Sequence, residues 1–321
     1  MGRLLEGLLL AAAAVAVIIT YNSAEVIKAC VEALARMAPS VEAIVVDNAS
    51  QDGTVERVPR GVRTIANQEN LGFAAAVNQG VRATDAEFVL LLNPDAEVRT
   101  AVDDLVAASR QYGLAAGQLV DETGKAQRGF TIRRFPTPVS LGFELFGINR
   151  LWRSNKVNRR YRYLDRDLEA GGAVEQPAGA FLMFRRDVWE ALGGFDESFY
   201  PVWFEDVDFC RRAVDKGYGI EYVPAVKAEH VGGHSVSRIP EGCRAVYWCA
   251  SLLKYASKHF RSLGYRGICM AVVLTSWPRA VAGMIRTRSF TPIKACIQIV
   301  GSAGWRLVSA QRSGAGLRRE S

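Results

Sequence analysis

Between Val15 and Val120 short apolar runs alternate with helical stretches, and no other feature constrains the fold as strongly. The runs are VAVIIT, EAIVVD, VRTIA, FVLLLN and LAAGQLV; between them lie EVIKACVEALARM, FAAAVNQGVRA and VDDLVAASRQY. Strand and helix in turn, at this spacing, predict an α/β fold with a largely parallel sheet flanked by helices. In such sheets ligands bind outside the carboxyl ends of the strands. The residues expected there are polar. They are Thr20, Tyr21 and Asn22 after the first strand, DNASQDGT from Asp47 after the second, Asn67 and NLGFAAAVN after the third, and Asn93, Pro94 and Asp95 after the fourth.

Two phosphate-binding devices are absent. No GxGxxG turn follows the first strand, and there is no P-loop. Phosphate charge would have to be neutralised by something other than a glycine cradle. Mg2+ and Mn2+ take oxygen ligands and commonly bridge a carboxylate to substrate phosphates. Asp95, behind the backbone restriction of Pro94, is placed for that role. NPD reads equally well as a turn, because all three residues favour turns. The same duality holds for DNASQDGT. Asp52-Gly53 reads as a turn and Ser50 or Asp52 as a helix cap, while a functional reading gives Asp47 a hydrogen bond to a nucleobase or ribose.

Residues 121–172 are rich in Arg, Tyr, Asn and Gly and predict a long, partly irregular segment, a lid or an acceptor-side loop. QPAGAFLMFRRDVWEALGGF predicts a strand and a short helix, FEDVDFCRRAVDKGY a helix closed by Gly217, and GIEYVPAVKAEHVGG two strand-like runs; from about Glu241 the chain reads as helical. Glu205 and Asp206 open their helix behind the aromatic stretch SFYPVWF. An aromatic wall there could hold a sugar and raise a carboxyl pKa, yet acids in a first turn are also favoured by the helix dipole alone. His230 and His234 bracket VGG near a strand end. Asp95 could complete a ligand set with His230, and His234 has no assigned role. Arg211 and Arg212 read as phosphate contacts or as a solvated face, and Trp203 and Phe204 as sugar platforms or core.

Charge is uneven. The net charge is +7, but residues 257–321 hold eleven Lys or Arg against one acid, so the first 256 residues carry −3. The basic residues are interleaved with ICMAVVLTSW, AVAGMI and ACIQIVGSAGW. That pattern predicts amphipathic helices at an anionic membrane surface, with a plain helical pair packed on the body as the alternative, rather than a nucleic-acid stripe. Six cysteines without a CxxC pair predict reduced thiols and a cytosolic setting. The start, MGRLLEGLLLAAAAVAVIIT, is compatible with a signal or an anchor. It reads better as a short extension over residues 1–14 leading into the first core strand, which cleavage would remove.

Taken in order, VAVIITYNS, VVDNASQDGT, NLGFAAAVNQG, LLLNPD and FEDVDFCRR resemble the inverting family 2 glycosyltransferases of the GT-A fold, in particular their rhamnosyltransferase-like branch in cell-envelope polysaccharide assembly. The resemblance spans Val15 to His234. It implies a nucleotide pocket lined by Thr20, Tyr21 and Asn22, a base contact from Asp47 with Asn48 beside it, and a donor site shaped by Asn70, Gly72, Phe73, Asn78 and Asn93. It implies Asp95 and His230 as ligands of Mg2+ or Mn2+, Asp206 as catalytic base with Glu205 beside it, and Gly179, Trp203 and Phe204 on the acceptor side. The family's metal motif is often DxD, whereas Asn93 stands at the first position here. The implied partners are a nucleotide-sugar donor (dTDP-rhamnose or a UDP-sugar), a lipid-linked glycan acceptor and the cytoplasmic face of the inner membrane. The implied organisation is a catalytic domain over 15–240, with a nucleotide-sugar half (15–120) and an acceptor half (121–240), followed by a basic helical region over 241–321. A nucleotidyltransferase, or a protein that binds sugar nucleotides or lipid-linked glycans without turnover, are the rival classes.

Overall fold

The computed structural model describes residues 14–232 and 238–316. Residues 1–13 of the extension expected before the first strand, and His234, lie outside the described residues; Ala14 already belongs to the first strand. The chain divides into two compact units. The first comprises the residues up to Phe135, Arg162–Pro201 and Glu205–Arg238; the second comprises Pro136–Tyr161, Val202–Phe204 and the chain from Ile239 onward.

The first unit is built on a nine-stranded mixed sheet. Its opening strands are β1 (Ala14–Thr20), β2 (Glu42–Asp47), β3 (Arg63–Ala66) and β4 (Phe88–Leu92), with helices α1 (Ile27–Met37), α2 (Thr54–Arg57) and α3 (Phe73–Arg82) between them. β1 pairs in parallel with β2 and β4, and β2 with β3. Every residue of β1 and β4 is buried, as expected of parallel strands covered on both faces. The short β5 (Ala96–Val98), α4 (Asp103–Tyr112), β6 (Gly113–Val120) and the two-residue β7 (Ile132–Arg133) follow.

Beyond β4 the sheet departs from the parallel expectation. After the two-residue strands β8 (Gly172–Ala173) and β9 (Gln176–Pro177) comes β10 (Phe181–Arg185), which inserts antiparallel between β4 and β6. The long strand β11 (Gly219–His230) runs parallel to β6 and antiparallel to β5 and β8. The two runs expected in GIEYVPAVKAEH are this one strand, and its register with β6 shifts between Val223 and Lys227. Pro224 lies inside that shift and has no N–H to give the ladder, which accounts for the break that the sequence displays. α8 (Arg186–Leu192) and α9 (Glu205–Asp215) complete the unit.

In the second unit, part of the segment expected to be irregular is helical: α5 (Pro138–Leu145), α6 (Ile148–Leu151) and α7 (Lys156–Tyr161). Thr137 and Ser140 form a reciprocal capping box with Pro138 at the first helical position, so TPVS encodes the start of α5. These helices group with α10 (Glu241–His259), α11 (Ser262–Thr287) and α12 (Thr291–Gly316), although their sequence lies in the half expected to serve the acceptor. Phe204 packs here on the rings of Trp248 and Tyr255, and both Trp203 and Phe204 hold left-handed backbone, with φ of 83° and 69°. All six cysteines are free thiols, and only Cys243 is exposed.

Candidate active site

The carboxyl ends of β1 and β2 are joined side chain to backbone. Asp47 is 2% exposed, and its carboxylate accepts from Thr20 Oγ1 at 2.7 Å, Ser50 N at 2.9 Å and Ser50 Oγ at 2.5 Å. A carboxylate offers about four lone-pair positions; three are engaged, and one is left for an incoming donor. Asn22, in left-handed backbone that Asn tolerates, donates its N–H to Ser50 Oγ at 2.8 Å, and its Oδ1 accepts from Gln51 N at 2.9 Å. Tyr21 lies half-buried between these anchors. Four further contacts hold the rim beyond: Asn48 Nδ2 to Gly72 O, Asn67 Nδ2 to Asn48 Oδ1, Asn70 Oδ1 from Gly72 N, and Phe73 N to Pro201 O. Gly72 has φ of 86°, and a Cβ there would come within 2.9 Å of the Tyr200 ring, so this position requires glycine.

Asn78 behaves differently from its expected role. It is 1% exposed, and its amide accepts from Trp189 Nε1 and Phe195 N and donates to Phe195 O and Glu197 Oε1, all at 2.8–2.9 Å. Those bonds fill its polar capacity, so Asn78 holds α3 to the segment after α8 rather than facing a ligand. Arg212 is similarly engaged with Asp208, Leu192 O and Gly194 O, and Arg211 with Asp215 over the ring of Phe135. Neither arginine has the phosphate-facing geometry that was one of its two readings.

NPD is both a turn and a presentation device. Ala96 N bonds Asn93 O at 3.1 Å, closing the turn between β4 and β5. β5 then pairs with the end of β11, Ala96 opposite His230, and this register brings His230 Nε2 to 3.5 Å from Asp95 Oδ1. Both side chains are nearly buried. Gln127, which sequence reasoning missed, grips the imidazole twice. Its Nε2 donates to His230 O, and its Oε1 faces Nδ1 at 3.2 Å, where it can accept an Nδ1–H bond. Nε2 faces Asp95 and, at 3.4 Å, Asn93 Nδ2, with Phe130 stacked on the ring. A carboxylate and an imidazole nitrogen facing each other are a donor set that suits a shared cation, and an outer-shell acceptor on the far nitrogen is a recurrent feature of metal-binding histidines. Among the described residues no cluster of three or more His, Cys, Asp or Glu is arranged for a metal. The pair therefore fits Mg2+ or Mn2+ only with substrate oxygens and water completing the shell, which is how such ions usually bind.

Asp206 lies half-buried at the start of α9. Its carboxylate accepts from Gly179 N at 2.9 Å and Val207 N at 2.8 Å. Burial pushes its pKa up; the two backbone N–H groups and the Arg133 charge counter part of that. Glu205, 4% exposed, is pushed up further by burial and by the neighbouring Asp206 charge, and its Oε2 has no hydrogen-bond partner among the described residues. Of the two, Asp206 is the less buried and the less strongly raised. A Cβ on Gly179 would stand 3.0 Å from Asp206 Cβ, so the bare backbone there is a condition of the contact. The next residue reaches the other centre, because Ala180 O accepts from Asn93 N at 3.0 Å.

A buried aspartate, an Asp–His pair and a helix-borne carboxylate stand at the strand ends of this mixed sheet, the arrangement expected above of a glycosyltransferase of the GT-A fold. The model of the family described as "Glycosyl transferase family 2" matches residues 15–193, and the chain belongs to that family. It is similar to the N-acetylglucosaminyl-diphospho-decaprenol L-rhamnosyltransferase of Mycobacterium tuberculosis, 29% identical over 238 residues that cover 68% of this chain and 76% of the relative. It is also similar to the rhamnosyltransferase WbbL of Escherichia coli, 27% identical over 187 residues that cover 56% of this chain and 65% of the relative. Among solved structures it resembles the Pyrobaculum calidifontis mannosyltransferase PcManGT, solved with GDP-Man and Mn2+, at a TM-score of 0.50 and 16% identity, over 91% of this chain and 87% of the other. That likeness bears on the fold alone.

Proposed function

We propose that this glycosyltransferase moves a sugar, with rhamnose the first candidate, from a nucleoside-diphosphate donor to a hydroxyl of a lipid-linked glycan, inverting the anomeric carbon. The named activities of the bacterial relatives support the sugar and the acceptor class. The observation that carries the mechanism is the pairing of Asp206, ionisable and held by two N–H donors, with an Asp95–His230 pair tied to it through adjacent residues of one strand-lead. In this reading residues 15–120 bind dTDP-rhamnose or a UDP-sugar, with Asp47 directing its remaining lone pair at the base. Residues 121–240 serve the acceptor, with Gly179 holding the base in place and Trp203 and Phe204 on the acceptor side; residues 241–321 face an anionic membrane at the cytoplasmic side.

Asp206 takes the proton of the acceptor hydroxyl as that oxygen attacks the anomeric carbon. The bond to the diphosphate breaks, and its electron pair leaves with the nucleoside diphosphate. Asp95 and His230 would hold Mg2+ or Mn2+, which supplies charge neutralisation on the departing diphosphate. Nucleoside-diphosphate release tests the reading. Purified protein is offered a panel of nucleotide sugars with Mg2+ or Mn2+ and a lipid-linked acceptor extract, with Asp95→Ala and Asp206→Asn alongside. Release with one donor, lost in both variants, is expected. Release that survives Asp206→Asn undiminished would remove the base assignment.

A further inference from the structure

The second unit presents apolar surface in an unusual place. α11 is the one helix among the described residues long and apolar enough to cross a membrane. Yet one of its faces is already used. Ile268, Cys269, Val272, Thr275, Ser276 and Ala280 are buried within the unit, and Arg279 donates to the carbonyls of Glu144 and Leu145. The opposite face is exposed and equally apolar. Leu263, Met270, Leu274, Trp277, Val281 and Ile285 are 44–86% exposed. At 100° per residue these six positions fall within about 80° of one another, a single line along the helix. Phe290, Ile297 and Trp305 add exposed apolar surface at the turn and on α12.

The charge around this line has one sign. Residues 242–316 contain eleven Lys or Arg and no Asp or Glu. Arg261 and Arg288 flank α11, and Lys294 opens α12, all exposed. The same unit carries a second apolar and basic corner, Leu151 and Trp152, 88% and 62% exposed, between the exposed Arg150 and Arg153. Exposed Trp and Leu among a large excess of cations, with the half-buried Glu144 tied to Asn149, match an anionic lipid interface, where indole rings sit at headgroup level and basic side chains meet lipid phosphate.

We infer that α11 lies in the plane of an anionic membrane, inserting Leu263, Met270, Leu274, Trp277, Val281 and Ile285, and does not span it. A spanning helix would have to strip away the protein packing on its buried face. The in-plane helix keeps that packing and adds lipid to the face that lacks any. This inference deepens the lipid-linked reading of the acceptor and rests on it only for the reason the enzyme visits a membrane.

The test uses the full chain with no donor or acceptor present, so its outcome is independent of sugar transfer. Sedimentation with vesicles of phosphatidylcholine, with and without about 30% phosphatidylglycerol, measures partitioning. Wild type is expected to bind the anionic vesicles at least tenfold more tightly. The double variant Leu274→Glu/Trp277→Glu is expected to lose at least tenfold in partitioning while keeping its circular-dichroism spectrum and melting transition. Orientation is read with a fluorophore on Leu263→Cys, Leu274→Cys or Ile285→Cys in a Cys243→Ser background, since the other cysteines are buried. Nitroxide lipids should place all three labels at one shallow depth. Leu263 and Ile285 are about 33 Å apart along the helix, so a deep Leu274 label between two shallow ones would mean a span and overturn the inference. Equal partitioning of wild type and double variant would overturn it as well. So would a dimer in solution that Leu274→Glu dissolves while vesicles bind nothing.

Discussion

Replacing Asn78 by Ala separates a scaffold role from a ligand role. The wild-type amide satisfies Trp189 Nε1, Phe195 N and Phe195 O, all in a buried setting, besides the more exposed Glu197 carboxylate. Alanine leaves those three groups without the partner they had. An unsatisfied buried donor or acceptor costs about 1–3 kcal/mol, so the loss expected from three is about 3–9 kcal/mol, a large part of the stability of an ordinary domain. Urea unfolding followed by circular dichroism should show the midpoint falling with little change in slope. At a temperature where the variant is still folded, its donor KM should stay within about threefold of wild type, because no polar atom of Asn78 is left to meet a donor. A stability change below about 1 kcal/mol together with a donor KM raised tenfold would refute this reasoning and return Asn78 to the donor pocket.

Four further outcomes follow from the same geometry. Glu205 has its folded pKa raised above the unfolded value, so wild type loses stability as pH rises above about 4.3, by up to about 1.4 kcal/mol per unit, until the folded carboxyl ionises. Glu205→Gln should not show that slope, and two parallel stability-against-pH curves would contradict the burial assignment. As a base Asp206 must be ionised, and its pKa is raised, so the acid limb of kcat/KM should lie above that of an ordinary aspartate. Arg133 opposes that rise, and Arg133→Met should move the limb to still higher pH; a limb that moves down would exclude the charge effect. Gly179→Ala should lower kcat at least tenfold by displacing Asp206 while donor-dependent thermal stabilisation persists, and an unchanged kcat would show that the carboxylate tolerates the shift. Gln127→Ala should weaken Mn2+ binding, measured by calorimetry on the donor-bound protein, about tenfold or more, whereas equal affinity would limit Gln127 to a fold role.

The fold was legible where local patterns and tertiary demands coincide. The four opening strands and their helices stand in the sequence as apolar runs and periodic stretches, most plainly β1 and β4, whose burial on both faces tolerates little else. β10 and β5 are different. FLMFR is visibly a strand, but its antiparallel insertion between β4 and β6 depends on partners far away in sequence. Ala96–Val98 is too short for any pattern to register. Of the site, the alternation of strand and helix put acids at the strand ends, but roles for Asp95, Glu205 and Asp206 came only from the ordered motifs of the family resemblance, because spacing alone reads NPD equally as a turn and Glu205-Asp206 as first-turn acids. The environment of each was not legible: Asn78 looks like a pocket residue until its partners more than a hundred positions away are known. Gln127 carries no signal at all, because a glutamine in a polar segment is unremarkable until the end of β11 arrives beside it.

The contact made by Gly179 and Ala180 reaches beyond the base it supports. One residue holds the carboxylate and the next holds the NPD turn, so the two ends of the proposed reaction share a single rigid gauge of backbone. Side chains that choose a nucleotide, a sugar or an acceptor can be exchanged around that gauge without altering its length. Lineages built on it would therefore diversify in what they join while keeping the span across which they join it.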